Sequence, residues 1–543
     1  MFNNRRDFYL EKVIRIELKQ LVQEGVFYIG VFLITMHTHS LPLKSSKTLN
    51  GVKAAVLAYV KTVFTLDLRA LAALRVATAA TLLTDLYLRM GDIRAHYTDE
   101  GILPLEALLK YAWSPYSFSI YNVATGFQLQ LLLMLINFAC GCCLLIGYRT
   151  RLFTFICWLF LLSIHNRNPL IHQGGDDLLR MAMFWGMLLP WGYYYSADSR
   201  KLFNSAHKPV NYLAFAGAAY LLQIIVVYFF SALLKSGPEW TSEFTALYYA
   251  FSLDQIALPV SKYFYHCPLF LKIVTAVVYY MELLFPLALL IPVYNPKLRM
   301  LFFIVFAAFH MGIALCLNVG IFPLVAVVVM IGLLPGKFIT YAVEQLNKLT
   351  DGLQNEFKNL LPAATPGKAV YVPKETLLQT AAVVLLFIYI IANNRATIGL
   401  PSIISKSLAQ AGLALRVQQN WGMFAPSVYK DDGWFVFSGN TAAGKPIDIA
   451  KEGEKVRYAK PEYVAGMATY QKDRWRKYHE NILSADKGVF RAYYCNYLLN
   501  KWNNSHEKAQ NISSLKIYYM KEVSLPDYKR SIPVKEELCG CGK

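Results

Sequence analysis

Lys235 closes an apolar, aromatic run of about twenty-five residues, Val210 to Leu234, which ends QIIVVYFFSALLKSGPEW. A run this long is membrane-length. An ammonium at its edge has two readings. It can anchor the span by reaching to the headgroups, or it can act as a base, because desolvation favours the neutral amine and frees its lone pair. Glu282, deep in VVYYMELLFP, bears on that choice. A lysine paired with it stays charged and is poorly suited to base chemistry. His310 sits within FFIVFAAFHMGIALCLNVG, eight residues before Asn318. On a continuous helix the two are about 80° apart, near one face, where they would polarise a site or simply hydrogen-bond inside the bundle.

A second group of ionisable residues lies in HNRNPLIHQGGDDLLR. Asp176 and Asp177 precede Arg180 by four and three residues, so they can pair along the start of a helix whose N-terminus also favours acids. His165 and His172 titrate near neutrality when unperturbed. The Gly174–Gly175 pair lets the backbone approach a ligand, or forms a capped re-entry turn held by an internal salt bridge. Arg75 and Asp85 lie ten residues apart in one apolar run, about 15 Å along a helix and on different faces. Each is therefore expected to pair with another helix.

The elements that must position these groups are membrane helices. Of the 543 residues, 56% are hydrophobic and only 16% charged, with mean hydropathy +0.34. Soluble domains carry about 25% charged residues. The net charge of +19 is spread over loops and tail and no nucleic-acid motif accompanies it, so it reads as the loop cations of a multi-pass membrane protein. The nine cysteines form no metal framework. Cys140, Cys142, Cys143, Cys157 and Cys316 lie in or near apolar runs, and the terminal Cys539-Gly-Cys541 is too tight for a zinc knuckle and lacks a histidine partner. No metal is expected. The charged start, MFNNRRDFYLEKVIRIELKQ, precedes an apolar stretch at Val26–Met36 that is too short to span.

About nine spans are expected, at 70–88, 126–147, 152–165, 178–195, 210–234, 273–293, 298–317, 319–335 and 377–393. Lysines and arginines gather in alternate loops: Lys44 to Arg69, Arg149 and Arg151, Arg200 to Lys208, Lys297 and Arg299, and Lys337 to Lys374. That bias places the N-terminus in the cytoplasm and the tail outside. The fold class is thus an all-α polytopic membrane bundle with a small C-terminal α+β domain. Its parts are an N-terminal cytoplasmic segment (1–64), the transmembrane domain (65–335), a Pro- and Lys-containing cytoplasmic linker (336–376), a last span (377–393) and an extracytoplasmic tail (394–543). In the tail, Trp434–Phe437 and Ile447–Ala450 flank GNTAAGK as a hairpin, Tyr463–Ile482 and Val489–Trp502 have helical spacing, and Ser514–Val523 alternates like a strand.

Several short pieces occur in order at span edges: Tyr97, Gly101 and Pro104; Gly147-Tyr148-Arg149; Tyr195-Ser196-Ala197-Asp198; YFFSALLKSGPEW from Tyr228 to Trp240; Phe309-His310; and Asn318-Val319-Gly320. Over roughly 65–335, with a weaker echo at Gln418–Pro426, the chain resembles the HTTM (horizontally transferred transmembrane) domain family, which includes the vitamin K-dependent γ-glutamyl carboxylases. The resemblance implies an enzyme of the lyase class. Lys235 would deprotonate reduced vitamin K or a menaquinone-type hydroquinone, O2 would add, and CO2 would be captured by a glutamate of a secreted peptide. His310 and Asn318 would complete the catalytic group. His165, His172, Asp176, Asp177, Arg180, Trp240 and Glu282 would line the quinone or substrate site. Two alternatives stand beside it: a quinol epoxidase or oxidoreductase without carboxylation, and a non-enzymatic membrane factor for maturation of, or immunity to, a secreted peptide. Membrane lipid and a secreted peptide or protein are the expected partners; nucleic acid is not.

Overall fold

The computed structural model describes residues 47–202, 208–349, 366–373 and 376–542. Most of the N-terminal segment, including Val26–Met36, and the middle of the 336–376 linker lie outside the described residues.

Apolar runs become helices because lipid offers the backbone no hydrogen-bond partner. Leading in from α1 (Lys47–Phe64), the bundle contains α2 (Leu68–Met90), α3 (Phe127–Ile146), α4 (Thr150–Arg167), α5 (Gly174–Leu188), α6 (Phe215–Leu234), α7 (Pro268–Leu284), α8 (Asn295–Cys316), α9 (Phe322–Met330) and α10 (Leu377–Thr397). The chain is a multi-pass integral membrane protein. Among the described residues six helices are long and apolar enough to cross a membrane: α2, α3, α6, α7 with its extension to Leu290, α8 and α10. A seventh span is added if Phe322–Leu333 and Gly336–Gln345, bent by 116°, count as one. The expected nine is not confirmed by that standard, and the reason is local. The runs at 152–165 and 178–195 form helices of 18 and 15 residues that fail that standard, and the run at 319–335 breaks at Met330 into a 3-10 turn. The most buried span is α6, at 83%, against 22% for α8, so α6 is the axis of the bundle and α8 presents a broad face to lipid.

The helix ends gather into two polar layers. At one, Arg299 donates to the carbonyl of Thr65 at 2.9 Å and Arg69 to Thr340 Oγ1 at 2.9 Å. Asp198 accepts from the Arg149 amide at 2.9 Å. Strands β1 (Leu66–Asp67), β2 (Lys208–Tyr212) and β3 (Pro366–Tyr371) form a small sheet there, β1 antiparallel and β2 parallel to its next neighbour. Arg75 reaches toward this layer and donates to the carbonyls of Leu144, Leu145 and Tyr195. Gly147 makes that approach possible by ending α3 in the left-handed region (φ 70°) with its amide on Cys143 and Leu144.

The tail covers the other layer. Its sheet has the order β5-β4-β6-β7, all antiparallel, from β4 (Asp431–Thr441), β5 (Pro446–Asp448), β6 (Ile512–Val523) and β7 (Val534–Gly542). Helices α11 (Asp473–Leu483) and α12 (Phe490–Ser505) accompany it. The hairpin across GNTAAGK and the strand after Ser514 are present as expected from the sequence. The helix expected at Tyr463–Ile482 begins only at Asp473, after a four-residue turn of helix at Ala468–Gln471. Strand β7 has charges and glycines where a strand signal would need alternating apolar residues.

Candidate functional site

Two clusters contain the ionisable groups singled out above. The first is at the end of α6. Lys235 is the C-cap residue and only 4% exposed. Its Nζ donates to Ser231 Oγ at 2.9 Å and to the Glu282 carboxylate of α7, and it lies 5.1 Å from the Trp240 ring centroid. A burial this deep excludes the headgroup-anchor reading. The ion pair joins α6 to α7, each group serving as the other's buried partner.

Beside the pair is a cavity of about 100 Å³, lined by Tyr228, Thr275, Phe309, His310, Phe322 and Phe424 among others. His310 Nε2 faces the Tyr228 hydroxyl at 3.0 Å, while its buried Nδ1 has no partner among the described residues. Trp240 also lines the cavity and donates its indole N–H to the Phe424 carbonyl at 2.8 Å. Asn318 is elsewhere. Helix α8 ends at Cys316 and Leu317 is extended, so the helical spacing from His310 does not continue. Asn318 Nδ2 instead donates to the Tyr470 carbonyl of the tail at 3.0 Å.

The second cluster joins the ends of α2, α4 and α5 to the tail, apart from that cavity. Asp176 accepts from Arg89 at 2.6 Å and from Arg474 of α11 at 2.7 Å; Asp85 accepts from the same two arginines, each at 2.7 Å. Asp177 pairs with Arg180 and, at 2.9 Å, with His172. His165 Nδ1 lies 3.0 Å from Arg180 Nη1, and Arg180 donates to the Arg416 carbonyl at 3.0 Å. The two aspartates therefore take different arginines, with His172 between them, 3.5 Å from Asp176 and 2.9 Å from Asp177. Asp177 makes the expected in-helix pair, whereas Asp176 turns to α2 and the tail and caps α5 through the Gln173 amide at 2.9 Å. Burial alone would lower the pKa of Arg474, but the carboxylates of Asp176 and Asp85 outweigh it and hold the guanidinium well above its ordinary value.

Ligand atoms of His165, His172 and Asp176 all lie within 4.8 Å of one another. The carboxylate of that group, Asp176, is already shared between Arg89 and Arg474. Sequence reasoning missed Arg89, Arg416 and Arg474. Arg89 is four residues after Asp85 on a helix and its spacing was a usable signal; the other two are distant in the chain and gave none.

The family model described as lipase maturation factor transmembrane domain matches residues 68–341, just over half of the chain, including Lys235, Glu282, Asp85, Asp176 and Asp177. The chain belongs to the lipase maturation factor family. No protein of curated function matches it, and no solved structure does. Membership in the lipase maturation factor family overturns the HTTM resemblance and the γ-carboxylase, lyase and vitamin K readings built on it. The hydroquinone, O2 and CO2 were implied by that resemblance and by nothing in the residues. The pieces that suggested it, such as Gly147-Tyr148-Arg149 and Tyr195-Ser196-Ala197-Asp198, are helix caps and turns that close the Arg75 and Arg149–Asp198 contacts. The tail after residue 341 lies beyond the matched region.

Proposed function

We propose that this protein is a non-enzymatic membrane factor supporting the maturation of a secreted lipase-type protein, with its N-terminus in the cytoplasm and its tail outside. The observation that carries the reading is the family match over residues 68–341, which hold the Lys235–Glu282 pair and the carboxylate of Asp176. Both clusters suit a structural role: each couples elements distant in the chain, and each opposes cation to carboxylate. Lys235 and Glu282 would pin α6 to α7, and His165, His172, Asp177 and Arg180 would brace the helix ends under the tail. The orientation draws support from the lysine and arginine bias of alternate loops and from a disulfide in the tail, Cys495–Cys541, which suits an oxidising compartment.

A host lacking this chain, producing a secreted lipase, tests the reading. Restoring the full chain is expected to raise lipase activity per unit of secreted lipase protein, and a form lacking residues 394–543 is expected not to. Equal specific activity with and without the chain would overturn it.

A further inference from the structure

The CGC motif gains a partner only in the fold. Cys541 on β7 is disulfide-bonded to Cys495 on α12, at a sequence separation of 46 and with Cα atoms 5.9 Å apart. Cys539 precedes Cys541 by two residues, and the pairing of Ile517 with Cys539 and Leu515 with Cys541 is regular across that interval. The two cysteines therefore project from one face of the strand, toward α12. The Cys539 Sγ lies 3.2 Å from the carbonyl of Arg491, one helical turn before Cys495. A free thiol is thus held one strand repeat and one helix turn from a disulfide. Cys495 is fully buried while Cys541 and Cys539 are half-buried, so an incoming thiol reaches Cys541 before Cys495. β7 is an edge strand, and no described strand flanks its outer side. Burial pushes the Cys539 thiol up to about 12, which keeps it protonated and the resting disulfide unscrambled.

We propose that this three-sulfur end of the tail exchanges disulfides with cysteine-bearing secreted polypeptides, Cys541 being the attacked sulfur and Cys539 the resolving thiol. The inference rests on the maturation reading for its choice of partner. In the first step a client thiolate attacks Cys541 Sγ; the Cys495–Cys541 bond breaks, its electron pair leaves on Cys495 Sγ, and that sulfur takes a proton from water. The client is then joined to Cys541. A second client thiolate can attack the client's own bridging sulfur and release the Cys541 thiolate, so the client gains a disulfide and the tail is reduced by two electrons. Otherwise hydroxide deprotonates Cys539, whose thiolate attacks Cys541 Sγ as β7 bends out of its extended form, forming Cys539–Cys541 and returning the client as a thiolate.

The test uses the full chain in detergent micelles, in a Cys267→Ser background so that the exposed thiol at Cys267 takes no label. Reduced glutathione is the probe; samples are acid-quenched and alkylated, and adducts are located by peptide mass. Expected are a glutathione adduct on Cys541 with Cys495 released as a free thiol, and an adduct lifetime about tenfold longer in Cys539→Ser, whose thermal unfolding is measured alongside. An adduct formed only after unfolding in guanidinium would overturn the proposal and leave a structural cross-link. An unchanged lifetime in a folded Cys539→Ser would remove Cys539 from the exchange. No lipase enters this measurement, so its failure and the failure of the maturation reading are separate results.

Discussion

Arg474 and Asp176 meet although 298 residues separate them in the chain: the arginine of α11 reaches down from the tail onto the carboxylate that caps α5. The same guanidinium bonds Asp85 of α2. One residue of the tail therefore holds two membrane helices together, and the tail is part of the bundle's polar layer.

Replacing Arg474 with alanine leaves Asp85 and Asp176 with Arg89 as their shared cation. Removing one partner of a buried pair costs roughly 3–5 kcal/mol, and the loss is expected as a lower thermal midpoint together with faster proteolytic release of the tail. Arg474→Lys is expected to recover only part of this, because an ammonium cannot reproduce the forked contacts to two carboxylates. A tail as protease-resistant in Arg474→Ala as in the parent would contradict the coupling.

The Lys235–Glu282 pair predicts a thermodynamic cycle. Lys235→Met alone strands a buried carboxylate and is expected to cost about 3–5 kcal/mol, whereas Lys235→Met with Glu282→Leu is expected to return most of that stability. Secreted lipase activity should follow stability across the set, with the double variant close to the parent. A stable double variant that no longer supports the lipase would instead place the ion pair in the functional step.

Asp432 makes the stability of the tail depend on pH. Burial and the neighbouring Asp254 raise its carboxyl to about 6, against the lesser pull of Arg530. Lys460 and Arg530 pair with Glu522 and Asp254 in the same cluster. A folded-state value above the unfolded one means the folded form binds the proton more tightly. This contribution is therefore full below the unfolded value near 4 and is lost as pH rises through 6, an effect on the order of 3 kcal/mol. Measured as tail unfolding from pH 4 to 7.5, Asp432→Asn is expected to gain on the parent as pH rises. A constant difference between the two would show that Asp432 does not carry the shift.

Gly147→Ala tests the Arg75 contact. The residue sits at φ 70°, and a Cβ there would collide with the Arg75 guanidinium and Ser196. Strain of about 1–3 kcal/mol is expected, read as a lowered thermal midpoint. Gly126→Ala, where a Cβ meets nothing within 4 Å, is expected to be near neutral.

Composition and periodicity were sufficient for the membrane class, most of the long helices and much of the tail, because apolar length and alternating polarity are local properties. They also brought Glu282 forward as a partner for Lys235. The count of nine spans is not confirmed, because the helices formed by the runs at 152–165 and 178–195 fall short of the combined length and apolarity of a full span. Asn318 does not share a helical face with His310, because a periodicity argument assumes an unbroken helix and α8 ends two residues earlier. The enzymatic reading failed because short motifs at span edges serve turns and caps as readily as chemistry.

By itself the chain determined which segments leave water, since transfer of an apolar run into lipid is summed along contiguous residues. Only the tertiary structure decided which charges neutralise which. Asp176 had a plausible partner four residues away, yet Arg89 and Arg474 took it, because in a low-dielectric layer electrostatic energy depends on distance in space and sequence separation sets no such distance.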